Sequence, residues 1–197
     1  DIIDNYLSTV NYGIDSTAQK VLDMLNTKYL IVPSKEGYVS LAPNPTQCGA
    51  AWFVDRIYLT DSPRDEIDAL AEIDPHSEAV VDSRWAEEVA EIDLSDDFTA
   101  EIALTEYRPN YLRYDYEASG TGVAVFSEIY YNKGWKAYLD GEEVPYYRAN
   151  YILRAMTLPA GKHTVEWRFR APAFGRVEAV TLCSSIAILA GVVAVIV

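Results

Sequence analysis

The last nineteen residues, 179–197, contain no charged side chain, although the 178 residues before them hold every Asp, Glu, Lys and Arg of the chain. An apolar run of that length spans the hydrocarbon of a bilayer when helical, at about 1.5 Å of rise per residue. A water-exposed domain followed by a transmembrane helix over 177–197 is therefore the expected organisation. The alternative for such a run is a buried helix or strand of a soluble core. Ala187 and Gly191, four apart, form a small-residue face of the kind that lets membrane helices approach closely. The chain starts at Asp1 rather than Met, so it is expected to be a piece of a longer membrane protein, with further membrane helices upstream and the last helix truncated.

Before that run, 30 acidic and 16 basic residues leave a formal charge of −14. So acidic a surface, with no local Lys/Arg cluster, repels phosphate backbones, and nucleic-acid binding is excluded as a function class. The same charge opposes electrostatic adsorption to anionic headgroups. Of the two cysteines, Cys48 lies in a polar stretch and Cys183 in the apolar run; two free thiols are expected, and the redox compartment stays unread.

Residues 1–26 have helical periodicity in two pieces around Gly13, the first carrying Ile2, Ile3, Tyr6 and Leu7, the second, which Ser16 can cap, carrying Val21, Leu22 and Leu25. Residues 28–33 predict a short buried strand ended by proline, and 51–55 predict a second. Ser62-Pro63 followed by Asp65 and Glu66 predicts a helix start, with a capping hydroxyl, proline in the first turn and acids at the positive end of the dipole. Ile67, Leu70 and Ala71 supply its apolar face. Residues 79–81 are strand-like, and 93–97 form an acidic loop.

From residue 99 the pattern alternates: 99–107, 110–117, 121–131, 135–139, 142–148, 151–158 and 164–170 predict strands. Asp140-Gly141 is a two-residue hairpin signal because both positions tolerate positive φ, and 159–162 supply another turn. Strands at this spacing predict a mainly β (α+β) fold, an antiparallel β-sandwich or jelly-roll-like domain. The boundaries expected are an α/β lead-in over 1–98 packed on the sheet, the β domain over 99–172 and the helix over 177–197.

The residues that carry chemistry are few. His76 and His163 match no metal-ligand spacing, and His163 suits a hairpin. Asp93, Asp96 and Asp97 lack the turn glycine of a calcium loop and predict a solvated loop. Glu128 and Asp140 are a conceivable acid/base pair for glycoside hydrolysis, with nothing to set their separation. No phosphate loop or nucleophile elbow occurs. No catalytic residue, metal or cofactor is expected. Aromatics are dense between 130 and 151 (Tyr130, Tyr131, Trp135, Tyr138, Tyr146, Tyr147, Tyr151), interleaved with Glu128, Lys136, Arg148, Asn150 and Arg154. They serve either cross-strand packing or, with Tyr138, Lys136 and Arg148 exposed together, a glycan-binding surface. Alternation puts Trp135, Ala137 and Leu139 on the core face and Lys136, Tyr138 and Asp140 on the other.

Several phrases in order, among them 25–32 (LNTKYLIV), 44–54 (NPTQCGAAWFV), 73–82 (IDPHSEAVVD), 126–131 (FSEIYY), 134–141 (GWKAYLDG), 148–155 (RANYILRA) and 159–166 (PAGKHTVE), resemble the C-terminal part of YfhO-type bacterial membrane proteins. That resemblance implies a polytopic protein similar to GT-C glycosyltransferases, which take a sugar from a polyprenyl-phosphate carrier, some members being linked to glycosylation of cell-wall polymers such as lipoteichoic acid. The catalytic acid of such enzymes lies in an early loop, so no catalytic residue is implied within this chain. It also implies an extracytoplasmic domain on the bacterial cytoplasmic membrane, with the lipid bilayer, the upstream helices and cell-envelope glycan as partners. Arg168, Arg170 and Arg176 before the apolar run favour a cytoplasmic flank, but that tendency weakens beside large domains, and the resemblance places the domain outside.

Overall fold

The computed structural model describes residues 16–33, 38–89, 97–172 and 174–196. The expected helix over 1–15, with Ile2, Ile3, Tyr6 and Leu7, lies outside the described residues, as do Asp93 and Asp96. In chain order the elements are α1 (Ser16–Met24), β1 (Tyr29–Pro33), β2 (Val39–Pro43), β3 (Ala51–Val54), β4 (Arg56–Thr60), α2 (Pro63–Glu72), β5 (Glu78–Asp82), a 3-10 turn (Ser83–Trp85), β6 (Ala100–Arg108), β7 (Tyr111–Ala118), β8 (Gly122–Ile129), β9 (Trp135–Leu139), β10 (Glu142–Val144), β11 (Tyr147–Ala149), β12 (Leu153–Leu158), β13 (Gly161–Phe169) and α3 (Phe174–Ile196).

The fold is mainly β, as the alternation predicts. Strands β10-β9-β13-β7-β6 form an antiparallel five-stranded sheet, and β3-β8-β12-β11-β5-β4 a six-stranded one. In the second sheet β4 and β5 are parallel, because α2 crosses between them. Its outermost strands, β3 and β4, are joined by the single residue Asp55, whose N–H donates to Ser77 O at 2.6 Å. The sheet therefore curls until its edges meet.

Period-2 alternation on doubly covered strands gives two cores. Ala124 and Phe126 of β8 and Met156 and Leu158 of β12 face the five-stranded sheet, meeting Leu112, Tyr114, Val165 and Trp167. Val123, Val125, Leu153 and Ala155, on the opposite face of the same strands, line the inside of the curl with Val54, Ala79, Val81 and Tyr147, and Met24 of α1 enters there. Both faces of β8 and β12 are thus buried.

Where the elements depart from expectation, a local cause is visible. The stretch 142–148 is two strands in different sheets, since Pro145 between them has no N–H for a ladder. The next strand starts at Leu153 rather than 151, because Asn150 (φ 48°) and Tyr151 (φ 68°) make a left-handed turn. Strand β1 is buried on one face only, with Val32 at 4% exposure. Among the described residues it pairs only with β2, an unforeseen strand, and Ile31 on its other face is 73% exposed. Helix α2 begins as its sequence predicts, with Ser62 Oγ accepting from Asp65 N and Pro63 in the first turn. Of its expected apolar face Leu70 packs against the core, whereas Ile67 is exposed and the fully buried side chain is Glu66.

The apolar run is helical, in the 23 residues of α3. Its described side chains from Val177 onward are exposed. Thr181, Ser184 and Ser185 dilute its apolar character and bond back to carbonyls four residues earlier. Among the described residues no helix is long and apolar enough to cross a membrane, so the span expected over 177–197 rests on the sequence and not on the fold.

Phe126 is fully buried, with edge-on contacts to Tyr114 and Trp167 at ring-centroid distances of 5.0 and 5.2 Å. Phe126→Ala should lower stability by about 3–5 kcal/mol through lost burial and an unfilled cavity, whereas Tyr107→Ala, at an exposed site, should stay within about 0.5 kcal/mol. Urea unfolding of the two variants beside the parent checks both.

Candidate functional site

Helix α3 leaves the domain at the end of β13, where Arg170 N donates to Gly134 O at 2.9 Å. A cleft of about 800 Å³ opens there, lined by Asn132, Gly134, Trp135, Lys136, Tyr138, Arg168, Phe169, Arg170, Ala171 and Pro172. The pairing of β9 with β13 builds it: Phe169 lies opposite Trp135, Arg168 opposite Lys136 and Glu166 opposite Tyr138. Alternation then sends Trp135, Ala137, Trp167 and Phe169 inward and Lys136, Tyr138, Arg168 and Arg170 outward. Gly134 is required at the rim. At φ 121°, a Cβ there would lie 2.7 Å from the Phe169 ring and 2.8 Å from Arg170 O.

The lining holds three basic residues and no acid, within a chain of charge −14. Acids sit just outside and order the bases. Lys136 Nζ bonds Glu143 at 2.6 and 2.9 Å. Arg168 donates to Glu166 Oε2 at 2.6 Å while its guanidinium lies 4.3 Å over the Tyr138 ring. Glu166 also accepts from the Tyr111 hydroxyl, and that bond, ahead of Arg168, holds its carboxyl below the usual range. Trp135 is half-buried, with Phe169 5.3 Å away and the buried Arg154 guanidinium 4.3 Å over it. Burial pushes the Arg154 pKa down, against the field of Glu128. A planar cation over an indole is held well in such a place.

Of the three candidate glycan residues, Tyr138 and Lys136 come together in this cleft and Arg148 does not. Arg148 lies on β11 in the curled sheet, where Nη2 bonds Glu66 Oε2 at 2.7 Å and lies 3.9 Å from Asp82. Arg168 and Arg170, which the sequence presents only as charges before the apolar run, occupy the place given to Arg148. Their outward parity on a strand adjoining Tyr138 is the signal that points to them.

Glu128 and Asp140 are not a catalytic pair. Glu128 is near the end from which α3 leaves, its carboxyl pushed up by burial. Asp140 is in the β9–β10 turn, at the opposite end of the neighbouring sheet. Retaining and inverting glycosidases need their carboxyls within about 5–10 Å across one bond. Asp140 instead accepts from His163 Nδ1 at 2.6 Å and from Thr164 N at 2.9 Å, and His163 Nε2 lies 3.1 Å from Ala160 O. His76 is likewise occupied, by Asp74 and by Thr46 O. Among the described residues no group of three or more His, Cys, Asp or Glu is placed to hold a metal ion. Cys48 and Cys183 are free thiols; burial pushes Cys48 up to about 12, so it is an inert thiol.

The family model described as "Bacterial membrane protein YfhO" matches residues 95–181, from just before β6 into the first turns of α3. Over those residues the chain is similar to a YfhO-type bacterial membrane protein. No curated protein and no solved structure matches the chain. The matched residues contain the whole five-stranded sheet and every residue lining the cleft, while the curled sheet takes β3, β4 and β5 from the preceding part of the chain.

The Asp140–His163 pair ties the β9–β10 turn to β13. Its bond to His163 holds the Asp140 carboxyl low, so that contribution is present above the ordinary carboxylate value of about 3.9 and lost as pH falls through the lowered folded value. Asp140 raises the His163 pKa, so that contribution is present below about 6.5 and lost as pH rises through the raised folded value. The stability difference between the parent and His163→Gln, from denaturant midpoints, should therefore be largest near about pH 5–6 and shrink toward pH 8.

Proposed function

We propose that this chain is the non-catalytic, extracytoplasmic C-terminal domain of a polytopic membrane protein similar to polyprenyl-phosphate-sugar-dependent glycosyltransferases. In this reading α3 sits in the bacterial cytoplasmic membrane, and the cleft beside it holds an acceptor glycan. The observation that carries the reading is the position and chemistry of the cleft: Trp135, Tyr138, Lys136, Arg168 and Arg170 converge where the chain turns into its apolar helix. Aromatic faces pack on the C–H faces of sugars, and cations beside them hydrogen-bond hydroxyls without needing to ionise anything. One face of Tyr138 is already covered by Arg168, so a sugar would meet the tyrosine hydroxyl, the guanidinium edge and Trp135.

Membrane placement of α3 is supported by the uncharged run 179–197, by the family's description as a membrane protein and by the exposure of Val180, Leu182, Ile186, Ile188, Leu189 and Val193. So much contiguous apolar surface is unfavourable in water. A second reading, a structural cap on the upstream membrane helices, is favoured by the ion pairs that already engage Lys136, Arg148 and Arg168. A free-standing carbohydrate-active enzyme has the least support, because its two candidate carboxylates are at opposite ends of the molecule.

The test is an NMR titration of cell-wall oligosaccharides into the full chain in detergent micelles. Shifts should cluster on β9 and the end of β13, and Tyr138→Ala or Arg168→Gln should weaken binding about tenfold, roughly 1.4 kcal/mol, with the fold retained. No turnover of a polyprenyl-phosphate sugar is expected. Saturating ligand without shifts at the cleft favours the structural cap.

A further inference from the structure

Strands β1 and β2 form a hairpin that joins neither large sheet. Its register sets Ile31 opposite Leu41 and Tyr29 opposite Pro43 on one face, with Val39 on that same face, while Val32 and Ala42 belong to the other. The second face is covered: Val32 and Ala42 are 4% and 3% exposed. The first is bare, with Tyr29, Ile31, Val39 and Leu41 each between 63% and 73% exposed, and Tyr38 beside them at 72%. Apart from the tyrosine hydroxyls, those side chains offer nothing for a hydrogen bond.

The hairpin's base is rigidly held. Asn44 N donates to Lys28 O at 2.8 Å, and Asn44 Nδ2 to Asp23 Oδ1 at 2.8 Å and Thr27 O at 2.9 Å. Ser127 of β8 anchors both flanks through one hydroxyl, 2.7 Å from Met24 O and 2.7 Å from Gly49 O. Ser127 lies near the end of β8 that leads through residues 130–134 into Trp135, the end at which β13 releases α3. Exposed Ile129 and Tyr131 continue the apolar surface there.

We infer that this bare face is a second membrane contact, lying in the headgroup–acyl boundary of the bilayer that holds α3. The inference rests on the membrane reading of α3 given above. Several observations choose lipid over a protein partner. Hairpin and helix leave from one end of the domain, so a bilayer around α3 passes beside the hairpin. The face mixes aliphatic groups with tyrosines, which suit the interface. It also lacks the polar groups that protein interfaces carry at about one hydrogen bond per 100–200 Å². With a chain charge of −14, attraction to anionic lipid cannot drive the contact; apolar burial must.

The full chain, with Cys48→Ser and Cys183→Ser, is reconstituted into phosphatidylcholine or phosphatidylglycerol vesicles and spin-labelled singly through Val39→Cys, Lys162→Cys or Leu189→Cys. Power saturation then reads access to oxygen and to an aqueous nickel complex. The label at 39 should be open to oxygen and shielded from nickel several-fold relative to 162, equally in both lipids, and Ile31→Asp with Leu41→Asp should restore nickel access. A label at 189 in hydrocarbon with 39 fully aqueous overturns the inference and leaves the reading of α3 intact. Labels at 189 and 39 both aqueous overturn both. A label at 39 closed to oxygen and nickel alike means protein covers the face, a second copy or upstream helices, and overturns the lipid contact alone.

Discussion

The carboxylate of Glu66 is fully buried and ties α2 to the curled sheet. One oxygen accepts from Arg148 Nη2 at 2.7 Å, the other from Tyr151 N at 2.7 Å. Helix α2 is thereby fixed to the β11–β12 turn, across the sheet formed by the strands that α2 connects. Burial raises the Glu66 pKa, and the Tyr151 amide and Arg148 oppose that rise. A buried charge without such partners costs several kcal/mol, so removing Arg148 alone would be far more disruptive than replacing the whole pair with apolar groups. Asp82 contributes as well, bonding Arg84 at 2.6 Å while remaining near Arg148.

This clamp explains two features that otherwise look unrelated. Asn150 and Tyr151 adopt left-handed backbone conformations, which non-glycine residues rarely do. The turn is held from several sides: Asn150 exchanges bonds with Val80, N to O at 2.8 Å and Oδ1 from N at 2.9 Å, and the Tyr151 amide meets Glu66. The same turn also fixes Arg148, so the one candidate glycan residue that faces away from the cleft is the one the fold uses for closure. Its chemistry is spent inside.

Much of the β region was legible because period-2 alternation and turn chemistry depend on neighbours. Asp140-Gly141 turns the chain at φ 50° and 90°, as a two-residue hairpin requires, and Ser62-Pro63 starts α2. What stayed hidden depends on partners distant in sequence. Nothing in 28–33 tells that its companion is 39–43 rather than a core strand, so its apolar residues imply burial throughout where the structure exposes Tyr29 and Ile31. Glu66 carries an acidic-first-turn signal, correct for the helix and silent about burial, because Arg148 lies 82 residues away. The division of 142–148 between two sheets is marked only by Pro145. For the cleft, the sequence offered Tyr138 and Lys136 through parity on one strand. Arg168 and Arg170 required the pairing of β9 with β13, which alternation alone cannot specify.

The two ends of the domain differ in chemistry. At the end opposite α3, an open cleft is lined by Glu101, Asp115, Glu117 and Asp140 along with Arg113, Lys162 and His163, and charged groups pair with one another close to water. At the α3 end Ile129, Tyr131 and the hairpin's tyrosines and aliphatics are exposed beside Asn132, Lys133 and Lys136, and the cleft lining has bases without acids. Segregation follows if one end lies against an apolar phase and the other in solvent. In the proposed membrane reading, the Trp135–Tyr138–Arg168 cleft would lie at the boundary between the two phases, within reach of a group displayed at the membrane surface.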